Sequence, residues 1–206
     1  MIKNIIFDFD GVILDSVPTK TEGFKKLFQN FSTDEVNKLV LYHELNGGKS
    51  RYVKIKYFFN ELLHKDISEQ EILEYANKYS EITKEELTNP KYIIEDTLNF
   101  IKTNHKKYEM HIASGADEED LKYICEKLDL TKYFLSINGS PKIKSEIVKD
   151  ILLDNRYDIN ETILIGDSVN DFDSAKDNGI DFFAYNNQKL KNHYKYIDKL
   201  KDFQIH

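Results

Sequence analysis

The sequence predicts an α/β protein with a parallel sheet covered by helices on both faces. An all-helical segment is inserted after the first strand. Three observations carry this reading. Short, continuously apolar segments recur and, from the second onward, are separated by helical patterns or short connectors, the signature of strands buried on both sides. The stretch from about residue 18 to 88 holds no strand candidate and reads as consecutive helices. Selected polar residues follow four of the apolar segments, where a parallel sheet gathers its ligands.

The strand candidates are "NIIFDF" (4–9), "EMHIAS" (109–114), "YFLSI" (133–137), "TILIG" (162–166) and "DFFAY" (181–185). Between the second and third, "ADEEDLKYICEKLDL" (116–130) sets Leu121, Ile124, Cys125 and Leu128 at helical spacing behind an acidic first turn. "SEIVKDILLDN" (145–155) is a second such helix. The inserted segment divides into 19–31, 32–45, 50–65 and 68–87. Ser68 followed by Glu71 is a capping signal for the last of these. Gly47 or Gly48 in "NGGKS" stops the second. A block of this length exceeds a simple crossover. The expected organisation is therefore residues 1–16 plus 89–206 as one core and 17–88 as a separate helical unit.

Composition narrows the function classes. A hydrophobic fraction of 40%, with 13 Tyr and 13 Phe, is enough for a real core and excludes global disorder. A net charge of −7 argues against a broad nucleic-acid or anionic-membrane surface. A local positive site for a small anion remains compatible with it. Cys125 is the single cysteine, so no internal disulfide framework exists and a reducing compartment is expected. No apolar run is long enough to span a bilayer, and Asp8 and Asp10 interrupt the start before a signal-peptide core forms. The cytoplasm is the expected location.

The strand ends carry the chemistry. Asp8, Asp10 and Gly11 follow the first strand, and Ser114 and Gly115 the second. Lys142 and Lys144 follow the third, and Asp167 and Asp171, in "GDSVND", the fourth. Several carboxylates in one dry crevice raise each other's pKa unless a cation joins them. Mg²⁺, with carboxylate, water and phosphate oxygens, meets that need. One aspartate can attack as a nucleophile, and a second can move the proton of the leaving alcohol and of water. Hydroxyl and ammonium groups hold the transferring oxygens. Each signal also has a plainer reading. The first pair could end a strand in a turn, Asp167 and Asp171 could cap a helix near Ser168, Ser114 could be a turn residue, and Asp15 and Ser16 fit a capping or hinge role.

"DFDGVILDS", "IASG", a lysine ahead of a helix and "GDSVND", in that order, resemble the four motifs of the haloacid dehalogenase-like superfamily, over nearly the whole chain. The helical insertion falls where the subclass with a helical cap carries its cap. The resemblance implies a Rossmann-like sheet, three-layered α/β/α, with Asp8 on the central strand. It implies Asp8 as nucleophile, Asp10 as general acid/base with its backbone carbonyl on Mg²⁺, and Ser114 and the Gly115 amide on phosphate. It further implies Asp167 as a metal ligand and Asp171 supporting the metal directly or through water. Lys144 is the choice for the third-motif lysine, because "KSEIV" resembles the family's entry into the next helix, with Lys142 as the alternative.

"GGKSRYVKIKYFFNELL" resembles the cap of phosphoglucomutase-like and phosphoglycolate phosphatase-like members, in which an arginine after such a loop meets the substrate. Arg51 is therefore a specificity candidate, against the plainer reading of a surface arginine at a helix start. Lys20 and Lys49 are further candidates. Tyr52, Tyr57, Phe58 and Phe59 are read as core, and the histidines receive no role. The expected activity is Mg²⁺-dependent hydrolysis of a small phosphorylated metabolite through an aspartyl-phosphate. The alternatives are a phosphosugar mutase of the same fold and a non-catalytic binding protein. Lys20 stands where the mutases carry a cap-hinge histidine, and "GD" stands where they carry two adjacent acids. A phosphonatase would need a Schiff-base lysine in the cap, for which Lys20 and Lys49 stay open. Asp10 argues against a dehalogenase.

Overall fold

A computed structural model describes residues 1–203. Six strands form one parallel sheet: β1 (Asn4–Phe7), β2 (Glu109–Asp117), β3 (Ser136–Ser140), β4 (Thr162–Gly166), β5 (Asp181–Tyr185) and β6 (Tyr196–Ile197), in the spatial order β3-β2-β1-β4-β5-β6. The chain runs outward from β1 to β3, then returns to β4 on the other side of β1. The β1/β4 boundary is thus the topological switch point, where the strand ends open a crevice.

Strand alternation builds the two faces. Ile5 and Phe7 of β1 pack with Ile112, Ile163 and Ile165 against α5 (Glu95–Asn104) and α6 (Glu118–Lys127). Ile6 packs with Ala113, Leu164 and Phe182 against α7 (Lys144–Asn155) and α8 (Val169–Asp177). Ile5, Ile6 and Phe7 are fully buried, and each contributes roughly 1.5–3 kcal/mol of transfer free energy. This is the three-layer α/β/α core that the apolar runs predict.

Between β1 and α5 lie four α-helices: α1 (Val17–Leu27), α2 (Thr33–Leu45), α3 (Arg51–Tyr57) and α4 (Glu69–Thr83). They enclose a second core of Phe24, Phe28, Leu39, Ile55, Phe58 and Tyr79. Ser68 and Glu71 form the expected reciprocal cap on α4. The third helical segment does not run to residue 65, because α3 passes at Phe58 into a wider π-helical turn over Phe58–Leu62 that turns Phe58 into this core.

Other boundaries differ from the sequence reading for local reasons. β1 stops at Phe7, so Asp8 and Phe9 leave the ladder, although Asp8 N still donates to Ile165 O at 2.9 Å. β3 starts three residues later than expected, since Thr131–Tyr133 forms a 3₁₀ turn. "NGS" is therefore strand, paired to β2 across a register shift, with Asn138 opposite Ala113 and Ser140 opposite Asp117. The two-residue β6 is too short for periodicity to reveal. α2 ends on Asn46, and neither Gly47 nor Gly48 takes a positive φ. Gly48 instead serves close approach, since a Cβ there would lie 2.7 Å from Asn170 Cβ. No helix among the described residues is long and apolar enough to cross a membrane.

Candidate active site

The strand ends at the switch point bring Asp8, Asp167, Asp171 and Lys144 together. Asp8 follows β1 and Asp167 follows β4, while Asp171 sits in the first turn of α8. One carboxylate oxygen from each of the three lies within 4.8 Å of the others. Lys144, the first residue of α7, places Nζ 2.7 Å from Asp8 Oδ1 and also pairs with Asp171. Lys142 lies elsewhere, paired with Asp150 at the surface. Asp171 also completes the capping box of α8, whose N-cap is Ser168. Asp171 Oδ2 accepts from Ser168 N at 3.0 Å and from Ser168 Oγ at 2.6 Å, so it has the expected capping contacts as well as a place in the acidic cluster.

Three carboxylates against one ammonium leave two negative charges, the charge of one divalent cation. The electrostatics carry the same imbalance. Burial, then Asp171, pushes the Asp8 carboxyl above the usual carboxylate range despite Lys144. Burial, then Asp8 and Asp171, raises Asp167. Burial alone would lower the Lys144 ammonium, but Asp171 and Asp8 hold it well above its ordinary value. An all-oxygen donor set in excess negative charge fits a hard divalent ion such as Mg²⁺.

Asp10 stands apart from this cluster. Its Oδ1 accepts from Ser16 Oγ at 2.5 Å and its Oδ2 from Lys20 Nζ at 2.5 Å. Burial works to raise the Asp10 carboxyl, but Lys20 and the Ser16 hydroxyl outweigh it and hold it below its ordinary value. Ser16 precedes α1 but makes no side-chain cap there, because its hydroxyl is committed to Asp10.

Backbone shape lets these groups converge. Gly11 has φ +79°, and a Cβ there would lie 2.1 Å from Asp167 Oδ2, so glycine is required between the first two acids and the fourth strand. A Cβ on Gly115 would lie 2.2 Å from Gly48 O. The "NGGKS" loop of the helical segment thus rests directly on the end of β2. Ser114 is fully buried, its Oγ accepting from Ala116 N at 3.1 Å. Asn187 Nδ2 donates to Asp167 O at 2.7 Å and Asn186 Nδ2 to Gly11 O at 2.8 Å, bracing both loops from the end of β5.

A cavity of about 360 Å³ lies between the helical segment and the strand ends, with Asp10, Gly115 and Asp167 on its lining. Lys20, Lys49 and Arg51 line it too. Arg51, however, is buried with its guanidinium on Asp120 Oδ2 at 2.6 Å and on Ala76 O at 3.2 Å, and it also donates to Ser80. Tyr52 Oη donates to Asp117 Oδ2 at 2.5 Å. These two contacts fasten the segment to the N-terminus of α6. Lys49 Nζ sits 3.3 Å from Tyr42 Oη. The sequence reading passed over two further lining residues, Lys54 and His43, both buried. The available signal was a lysine on the apolar face of α3, sharing it with Arg51, Ile55 and Phe58.

Solved structures share this architecture. β-Phosphoglucomutase from Clostridium difficile is 17% identical, with a TM-score of 0.79 over 100% of this chain and 94% of that chain. A predicted phosphoglycolate phosphatase from Haemophilus somnus is 15% identical, with a TM-score of 0.76 over 98% and 96%. CbbY from Rhodobacter sphaeroides, in complex with xylulose 1,5-bisphosphate, is 14% identical, with a TM-score of 0.79 over 98% and 96%. No curated protein sequence matches the chain. At these identities the likeness is one of fold. The family model described as haloacid dehalogenase-like hydrolase matches residues 5–185, a span that runs from β1 to the end of β5 and includes all four acids and Lys144. By that match the chain belongs to the haloacid dehalogenase-like hydrolase family.

Proposed function

We propose that the protein is a Mg²⁺-dependent phosphatase that hydrolyses a small phosphorylated metabolite through an aspartyl-phosphate on Asp8. The observation that carries this reading is the convergence of three carboxylates and Lys144 at the β1/β4 switch point with an excess of two negative charges. Asp8, Asp167 and the support of Asp171 would hold the ion, with the Asp10 backbone carbonyl as a further oxygen. When bound, the ion would neutralise that excess, so that the incoming phosphate no longer meets a net negative site, and would polarise a phosphoryl oxygen.

In this reading an Asp8 carboxylate oxygen forms a bond to phosphorus as the ester P–O bond breaks. The leaving alkoxide takes a proton from the carboxylic acid of Asp10. The Asp10 carboxylate then takes a proton from water, whose oxygen attacks phosphorus. The Asp8–phosphorus bond breaks, releasing inorganic phosphate and the Asp8 carboxylate. Lys144, Ser114 Oγ and the Gly115 amide hold the phosphoryl oxygens. The contacts of Asp10 with Lys20 and Ser16 favour its ionised form, the state needed to accept the proton of water. For the first step Lys20 must yield, and its position on the cavity lining lets an entering substrate displace it.

Residues 17–88 act in this reading as a cap that excludes water from the cavity and selects the substrate. Its own core and the seat of its glycine loop on β2 support that role. A cavity of about 360 Å³ favours a small metabolite over nucleic acid or a folded protein, and the lone buried Cys125 fits a cytoplasmic setting. The test is phosphate release from a panel of phosphorylated metabolites with and without Mg²⁺, for the parent chain and Asp8→Asn. Mg²⁺-dependent release that disappears in Asp8→Asn is the expected result. Isomerisation of sugar phosphates without phosphate release would favour the mutase alternative instead.

A further inference from the structure

The cavity that receives Asp10, Gly115 and Asp167 on one side has uncompensated positive charge on the other. Five lysine and arginine side chains line it, Lys20, Lys49, Arg51, Lys54 and Lys189, against three carboxylates, Asp10, Glu44 and Asp167. Two are spent on carboxylates, Lys20 on Asp10 at 2.5 Å and Arg51 on Asp120 at 2.6 Å. Among the described residues, Lys49, Lys54 and Lys189 have no carboxylate partner within ion-pair distance, and of these only Lys54 is buried. Lys49 is half-buried and lies against the Tyr42 ring, 5.3 Å from its centroid.

Lys54 is the more demanding case, because it is only 3% exposed. Its Nζ lies 2.9 Å from His43 Nδ1 and 3.4 Å from Gly47 O, two neutral groups. Burial, then the Lys54 ammonium, pushes His43 down to about 3, so the imidazole is neutral and cannot share the charge. A lysine ammonium has three N–H donors, and these two acceptors leave one of them free toward the cavity. Burial, then the Lys20 ammonium, pushes Lys54 itself down to about 7. A buried ammonium facing only neutral acceptors is costly, and an anionic group arriving beside it removes that cost.

We propose that Lys54 recognises the non-reacting end of the substrate and that this end carries an anionic oxygen group, a carboxylate or a second phosphate. The assignment rests on the phosphate-ester reading above and names the substrate class within it. It also moves distal recognition away from Arg51, whose guanidinium is occupied by Asp120, Ser80 and Ala76. A cavity of about 360 Å³ suits a small metabolite with a phosphate at one end and an anionic group at the other.

The test is calorimetric binding in Mg²⁺ to protein carrying Asp8→Asn, so that esters bind without turning over. The probes are phosphoglycolate, with a carboxylate tail, xylulose 1,5-bisphosphate, with a phosphate tail, and glycerol 1-phosphate, with a neutral tail. The parent is compared with Lys54→Met, which keeps the bulk and removes the charge, and with Lys54→Arg, which keeps the charge. At least one anionic-tailed ester should bind more tightly than glycerol 1-phosphate. Lys54→Met should weaken that ester by about 10- to 100-fold while leaving glycerol 1-phosphate unchanged. Lys54→Arg should restore much of the preference, and the better of the two anionic probes identifies which group is read. Equal weakening of all three esters, or no tail preference in the parent, would overturn the assignment and leave Lys54 a strut between His43 and the Gly47 loop. Failure of the phosphatase reading looks different: tail preference persists in the binding assay, but protein with Asp8 intact releases no phosphate.

Discussion

The ammonium of Lys144 lies 2.7 Å from Asp8 Oδ1 and also pairs with Asp171, so one cation at the head of α7 serves carboxylates from β1 and α8. All three side chains are buried. Removing that cation leaves three carboxylates in one crevice with no positive partner. Lys144→Met is therefore expected to lower the metal-free unfolding free energy by about 3–5 kcal/mol, measured by denaturant titration. Added Mg²⁺ should recover more stability in the variant than in the parent. Equal responses to Mg²⁺ would contradict the charge balance inferred for the site.

Lys20 and Ser16 hold Asp10 ionised against the effect of burial. In Lys20→Met the burial effect loses its main opponent, and the Asp10 carboxyl rises. In the proposed mechanism Asp10 must be ionised to accept a proton from water, and it then needs a higher pH. The acidic limb of the pH–rate profile is expected to move upward, read from kcat across the acid range. An unmoved limb would assign it to a different group.

Arg51 and Asp120 form a buried pair between the helical segment and α6. A double-mutant cycle on Arg51→Met and Asp120→Asn is expected to give a coupling energy of about 2 kcal/mol in unfolding. A coupling near zero would mean that the contact does not fasten the segment.

His111 gives a pH dependence remote from the acids. It is buried on β2 with Nδ1 2.8 Å from Ser136 Oγ and Nε2 2.9 Å from Tyr157 Oη. Burial pushes it down from 6.5 to about 4. Between those values the unfolded chain binds a proton that the folded chain does not. Stability therefore falls as pH drops through this window, by up to about 3 kcal/mol from this residue. His111→Gln should flatten part of that slope in denaturant titrations at pH 7, 5.5 and 4.5. Only part is removed, because the buried, neutral His43 contributes in the same direction.

The convergence of Asp8, Asp167 and Asp171 was legible because each lies within a few residues of an apolar strand, so chain proximity reports spatial proximity. The parallel, doubly covered sheet was legible for a related reason. Its strands are buried on both sides and read as continuous apolar runs. What escaped notice depends on contacts distant in sequence. Arg51 meets Asp120 across 69 positions, and nothing local to either residue signals the other. Lys54 resembles any lysine of a surface helix until the packing of Ile55 and Phe58 turns its face inward. Ser16 looks like a helix cap by position, and only the fold reveals that Asp10 claims its hydroxyl. The choice between Lys142 and Lys144 also needed coordinates, since both follow β3 and only the start of α7 turns one of them inward.

The central claim is that Asp8 carries the phosphoryl group during turnover. The most direct measurement is acid quenching of the parent protein with its best ester and Mg²⁺, followed by mass spectrometry of the peptide that contains Asp8. The account predicts a phosphoryl adduct on Asp8 that forms within the first turnover and decays as substrate is exhausted. Continued turnover with no adduct on that peptide, or an adduct on another residue, would contradict it.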